Sequence, residues 1–197
     1  MRKKESQENI YRAALFVFAK YGYRKTTMEE IAAELDMTKG NLYRYAAGKK
    51  ELYRKAVAHA LGNWQARVGT AIENAGPDPR RRFSVMCEKA VEYLSSDDDL
   101  RRVLIHDPDI FPLFADNDPY ESINRNSVAM IREILEQGVD AGVFRTVDAG
   151  RVSEIIFLIY KMFIIRTYVH SKDEFLRDLF DETVSLFTNG LFTKPSA

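Results

Sequence analysis

Cysteine occurs once in the 197 residues, at Cys87, which excludes an internal disulfide framework and a cysteine-built zinc site. Histidine is nearly as sparse. His59, His106 and His170 stand in separate segments, with no nucleophile motif and no metal-ligand spacing around them. The only local titratable cluster is His106 with Asp107 and Asp109, so no catalytic residues, metal or cofactor are expected. The most apolar stretch, 155–165, has eleven residues with Lys161 inside. A membrane span requires about 20 apolar residues, so no membrane association is expected. A secretory leader pattern is missing as well, which points to a cytoplasmic location. Period-2 alternation and internal repeats are also lacking, which excludes a sheet-based or repeat architecture.

What is present is ordinary globular composition, 46% hydrophobic and 29% charged. The formal net charge of zero conceals a division. Residues 1–60 carry 13 Lys/Arg against 7 Asp/Glu, whereas residues 61–197 carry 16 against 22. The basic excess of the first part suits a polyanion, and the acidic remainder does not. Two functional parts are therefore expected, residues 1–48 and residues 49–197.

The apolar periodicity is helical throughout. Ser6 caps a helix to about Tyr21, with Ile10, Ala14, Val17, Phe18 and Tyr21 as its stripe and Gly22 as its stop. A long helix is expected over Lys49–Asn74, before the breaker Gly76-Pro77-Asp78-Pro79. Helices follow at about Arg80–Leu94 and Asp98–Ile105, the second opened by the acidic run 97–99. A proline-interrupted, aromatic stretch from His106 to Phe114 leads to a helix over about Tyr120–Ala141, stopped at Gly142. Asp148 caps one to about His170, and Asp173 another to about Asn189, with Gly190 as its stop. The fold class is all-α, with about nine helices.

The stretch Thr26–Leu52 is the most informative. Thr27 and Glu30 have capping-box spacing, and Ile31, Ala32 and Leu35 share one helical face. Asp36 and Met37 break the pattern, and Thr38 can cap a second helix through Leu42 and Tyr45. Two short helices joined by so tight a turn form a helix-turn-helix, whose second helix can enter a major groove. That helix is oddly polar. It presents Lys39, Gly40, Asn41, Tyr43 and Arg44 around one apolar residue, Leu42. Gly40 costs about 1 kcal/mol of helix stability, which makes sense where another surface must approach the backbone closely. Lys, Asn and Arg can read base edges, while Thr and Tyr hydroxyls such as that of Thr38 can bond phosphate oxygens.

These residues carry a family resemblance. The frame I10-x-x-A-A-L-x-x-F18, G22-Y23-x-x-T-T27, I31-A32, T38-K39-G40-x-L42-Y43-x-Y45 and K49-x-E51-L52 resembles the DNA-binding domain of the tetracycline-repressor (TetR) family of bacterial transcriptional regulators. It covers residues 10–52. Two positions depart from the family pattern: Asp36 replaces the usual turn glycine, and Ala46 the usual aromatic. The resemblance implies an all-helical homodimer with an N-terminal three-helix helix-turn-helix domain and a C-terminal helical domain. The latter would bind a small ligand and dimerise through its last two helices. It also implies phosphate contacts at Thr27, Tyr43, Tyr45 and Lys49, and base-edge positions at Lys39, Gly40, Asn41 and Arg44, with Met28 beside the groove.

The second part supplies its own expectations. The helix 148–170 is apolar around nearly its whole circumference and must be buried on more than one side. Paired with the stripe Phe175, Leu176, Leu179, Phe180, Val184 and Phe187, it suits an isologous four-helix interface. Phe83, Met86, Cys87, Tyr93, Phe111, Phe114, Tyr120, Tyr160, Phe163 and Arg166 form an aromatic, mostly apolar candidate set for a small-molecule effector site. Arg166 and Lys161 are candidates for pairing with an anionic head group. The expected function is a ligand-responsive repressor, released from a pseudo-palindromic operator in double-stranded DNA by a hydrophobic or aromatic small molecule. A transcriptional activator and a ligand-independent DNA-binding protein are the alternatives.

Overall fold

In the computed structural model of the chain, residues 6–107, 118–170 and 174–191 are described, the side chains of 164–170 and 174–177 excepted. They form nine helices: α1 Gln7–Lys25, α2 Met28–Glu34, α3 Lys39–Leu42, α4 Lys49–Asn74, α5 Pro79–Ser95, α6 Asp98–His106, α7 Glu121–Asp140, α8 Ala149–His170 and α9 Glu174–Leu191. No strand occurs among the described residues.

The boundaries follow local chemistry. Ser6 accepts from the Asn9 N–H and opens α1, and Gly22, at φ 77°, interrupts its regular turn as a residue without Cβ can. Asp97 accepts from the Leu100 N–H, so the acidic run starts α6. Gly76 and Gly142 both take positive φ, beyond the ends of α4 and α7. One expected stop is corrected: α9 passes through Gly190 to Leu191. There the Arg145 backbone N–H donates to Leu191 O at 2.8 Å and its guanidinium to Gly190 O. Tertiary partners satisfy those last carbonyls, so no glycine turn is required.

One continuous apolar core runs from Ile10 in α1, through Leu61 in α4 and Leu94 in α5, to Leu135 in α7 and Leu191 in α9. The N-terminal helix packs on both α4 and α6, α4 on α5, and α7 on α8. Trp64 is a packing residue, as its place on the long helix suggests: its indole donates to Ala90 O at 3.0 Å and its ring lies 6.1 Å from that of Tyr160. At the joint between α1 and α4, the Tyr53 ring meets Phe18 and Tyr23, each at 4.9 Å. On α8, Ile155, Leu158 and Met162 stay 49%, 44% and 41% exposed at helical spacing, and Leu186 on α9 is 65% exposed.

Candidate nucleic-acid interface and effector cavity

The capping box that opens α2 is complete. The Thr27 hydroxyl accepts from the Glu30 N–H at 3.2 Å, and the Glu30 carboxylate accepts from the Thr27 N–H at 2.7 Å. The helix ends in a Schellman turn: Met37 N–H donates to Ala32 O at 2.9 Å and Asp36 N–H to Ala33 O at 3.0 Å. Asp36 occupies the left-handed position at φ 47°, which Asp tolerates better than most residues. That turn sets α3 across α2.

The second helix is shorter than expected. Only 39–42 are α-helical, because beyond Leu42 the Arg44 and Tyr45 N–H groups turn to Asn41 O and Leu42 O, three residues back. A polar staple holds the connection that follows. Glu51 accepts from the Ala47 N–H at 2.7 Å and pairs with Lys55 at 2.7 Å, and Lys55 Nζ donates to Tyr45 O at 2.9 Å. Ala46 is buried within it.

Thr27, Thr38, Lys39, Gly40, Asn41, Tyr43 and Arg44 are exposed, and Tyr45 and Lys49 are half-buried. Thr38 Oγ1 accepts from the Asn41 N–H at 3.3 Å, which leaves its own hydrogen for an acceptor. Lys39 pairs with Glu29 at 2.5 Å, a bond that raises the pKa of the lysine and lowers that of the glutamate. Met28 corrects an expectation. At 6% exposure its side chain lies in the core, since the first turn of α2 rolls it inward, and it does not join the exposed residues of 38–44.

Lys49 also differs from a free clamp. Its Nζ donates to Tyr23 O at 2.9 Å and Thr26 O at 3.0 Å, and stands 4.6 Å above the Tyr23 ring. The ammonium thus caps the C-terminal carbonyls of α1. The N-terminus of α4 has no side-chain cap hydrogen bond of its own, and the first N–H groups of a helix have no intrahelical partner.

The second part holds a cavity of about 80 Å³ between α4, α5, α7, α8 and α9. Of the expected ligand residues, Met86, Cys87, Tyr160 and Phe163 line it. Phe83 does not: it is fully buried, edge-on to Phe144 at 6.2 Å. Tyr93 lies under the Arg67 guanidinium at 4.2 Å, and Tyr120 is buried beside Asp107 and Tyr53, both away from the cavity. Phe111, Phe114 and the Arg166 side chain lie outside the described residues. Lys161 is buried with its Nζ 5.6 Å from the Phe157 ring, and burial pushes its pKa down against the pull of Asp118. It is not part of the described lining. Burial pushes the Cys87 thiol up to about 12, so it is an inert wall.

Sequence reading missed Gln65, Ser127 and Thr183, which also line the cavity. They lie at helical spacing from other lining residues: Gln65 with Val68, Ser127 with Met130 and Ile131, Thr183 with Phe180, Val184 and Phe187. The periodicity was visible, but not which stripe faces a void.

Residues 10–56 match the model for bacterial regulatory proteins of the tetR family. Over those residues, about a quarter of its length, the chain is similar to that family. It is 30% identical over 94 residues to the uncharacterized HTH-type transcriptional regulator YuxN of Bacillus subtilis (strain 168), which covers 46% of this chain and 32% of that protein. The matched part thus spans about a third of the length of that relative. A TetR transcription regulator from Haloarcula marismortui superposes with a TM-score of 0.78 at 20% identity, covering 95% of this chain and 98% of that one. The transcriptional regulator FadR from Bacillus subtilis, in complex with stearoyl-CoA, superposes with a TM-score of 0.74 at 18% identity, covering 94% and 99%. These likenesses, at 20% and 18% identity, show a shared fold over 95% and 94% of the chain.

Proposed function

We propose that the protein is a ligand-responsive transcriptional repressor that binds a pseudo-palindromic operator as a homodimer in the cytoplasm. The observation that carries this reading is the exposed polar face of α3 in a chain whose second part holds a partly open, largely apolar cavity. Lys39, Gly40, Asn41 and Arg44 face base edges. Thr27, Thr38, Tyr43, Tyr45 and the first turn of α4, at Lys49, contact phosphates. The division of labour falls at Gly48, with residues 1–48 carrying the helix-turn-helix and 49–197 binding effector and partner, and the first turn of α4 adds its phosphate contact at the boundary.

One short recognition helix reads only a few base pairs. Two held about 34–36 Å apart read successive major grooves. The exposed stripe of Ile155, Leu158 and Met162, with Leu186, supports a dimer through α8 and α9. An effector in the cavity touches α4, the helix that begins at the DNA-binding unit. Its binding favours a spacing of the recognition helices that misses the operator, and the DNA is released. No catalysis is assigned, because the family acts by binding.

A mobility-shift assay with the wild type and Tyr43→Ala tests the interface. The substitution is expected to weaken operator binding, and equal binding by both proteins would remove Tyr43 from it.

A further inference from the structure

The exposed polar surface around α3 contains a carboxylate. Glu29, in the first turn of α2, is exposed, and its Oε1 accepts from Lys39 Nζ at 2.5 Å. The same ammonium stands 5.9 Å from the centre of the Tyr43 ring. The bond favours the charged form of both partners. A negative charge here works against a phosphate backbone, so it lowers sequence-independent affinity unless it meets a donor on the DNA. The neighbouring Glu30 is employed differently, since its Oε2 accepts both the N–H and the hydroxyl of Thr27. Glu29 has capacity to spare. Lys39 and the residue's own backbone N–H do not exhaust the roughly four acceptor sites of a carboxylate. Lys39 likewise keeps donors beyond the one it gives to Glu29.

An acceptor and a donor side by side match one kind of base-pair edge. In the major groove a G·C pair sets the guanine N7 and O6 acceptors together, with the cytosine N4 amino donor at their side. We infer that Glu29 determines sequence specificity, and that the Glu29–Lys39 pair reads a single G·C base pair. Glu29 accepts from cytosine N4 while Lys39 donates to guanine O6 and N7. The inference rests on the DNA-binding reading of α3. An A·T pair puts its amino donor between two acceptors, so Lys39 would find only one of them beside the carboxylate's partner. A reversed pair would set the ammonium against an amino group.

The test takes the full-length wild type, Glu29→Ala and Lys39→Met through selection from a random double-stranded DNA library. The enriched duplexes are then titrated by fluorescence anisotropy. Wild-type sites should hold one G·C pair in each half-site that both variants leave free, with the rest of the site still selected. Changing that pair to A·T should cost the wild type about 5–10-fold in affinity, the scale of one base contact, and Glu29→Ala should be indifferent to it. N4-methylation of the cytosine replaces the amino hydrogen that faces the groove and keeps the base pairing. It should weaken the wild type by a similar factor and leave Glu29→Ala unaffected. Because that change is made on the DNA, the wild type decides even where a variant does not fold. If the ion pair only braced α2 against α3, both variants would weaken every duplex alike. That result, or variants that relax different base pairs, overturns the inference and leaves DNA binding in place. A wild type that enriches no sequence overturns the DNA-binding reading and the inference with it.

Discussion

The Tyr53 hydroxyl, on α4 five residues past its N-terminal cap, donates to Asp107 Oδ2 at 2.8 Å, at the residue that ends α6. The bond joins the helix that leaves the DNA-binding unit to the second part of the chain, and the Tyr53 ring completes the cluster with Phe18 and Tyr23. Burial, then the bond to Asp107, pushes the Tyr53 pKa far up.

Tyr53→Phe keeps the ring and leaves a half-buried carboxylate without its donor. A loss of about 1.5–3 kcal/mol is expected from a hydrogen bond to a charged group, read as a lower urea midpoint at unchanged slope. The pH dependence has a definite sign. The unfolded tyrosine ionises near pH 10 while the folded one stays protonated, so this contribution is fully present below about pH 10 and lost as pH rises beyond it. The variant should show a shallower alkaline decline than the wild type.

Lys49→Met removes the ammonium that holds the last carbonyls of α1. Unfolding free energy should fall by about 1–3 kcal/mol. Because that charge is spent inside the protein, the salt slope of operator binding should hardly change. A slope reduced by about 0.9, the signature of one lost phosphate contact, would show instead that the ammonium leaves Tyr23 and Thr26 for the DNA.

Gly138 sits where a side chain cannot. A Cβ there would lie 2.0 Å from the Phe144 ring, which packs edge-on to Phe83 and whose N–H donates to Gly138 O. Gly138→Ala should cost about 1–3 kcal/mol through displaced packing, measured by thermal unfolding at about 2–4 °C per kcal/mol for a chain of this size. Gly40→Ala is the contrast. Its Cβ would meet only Thr38 Oγ1, at 4.0 Å, so stability should hold or rise while operator binding weakens.

Leu158→Glu places a charge in the exposed stripe of α8. If α8 and α9 form the dimer interface, the variant should sediment as a monomer at concentrations where the wild type is a dimer, with its helical signal retained. Unchanged mass would move the interface elsewhere.

Most helix starts were legible in the residues alone, because capping and periodicity act within a few residues of chain. Ser6, Thr27, Thr38, Asp97 and Asp148 each accept a backbone N–H of the helix they precede. Asp36 takes the left-handed turn position that its residue type tolerates. The exposed polar face at 38–44 was legible for the same reason, since a stripe with one apolar residue cannot be core.

Where long side chains go once distant segments meet was not legible in any local pattern. Lys49 turns to carbonyls 23 and 26 residues earlier. Met28 rolls inward, and α9 runs through Gly190 because Arg145 satisfies its last carbonyls. Phe83 and Cys87 lie four residues apart on the same apolar stripe, yet one is solid core and the other lines a void. Helical spacing fixes which face turns inward. Whether that face meets another ring or empty space depends on how five helices pack, and no local pattern encodes it.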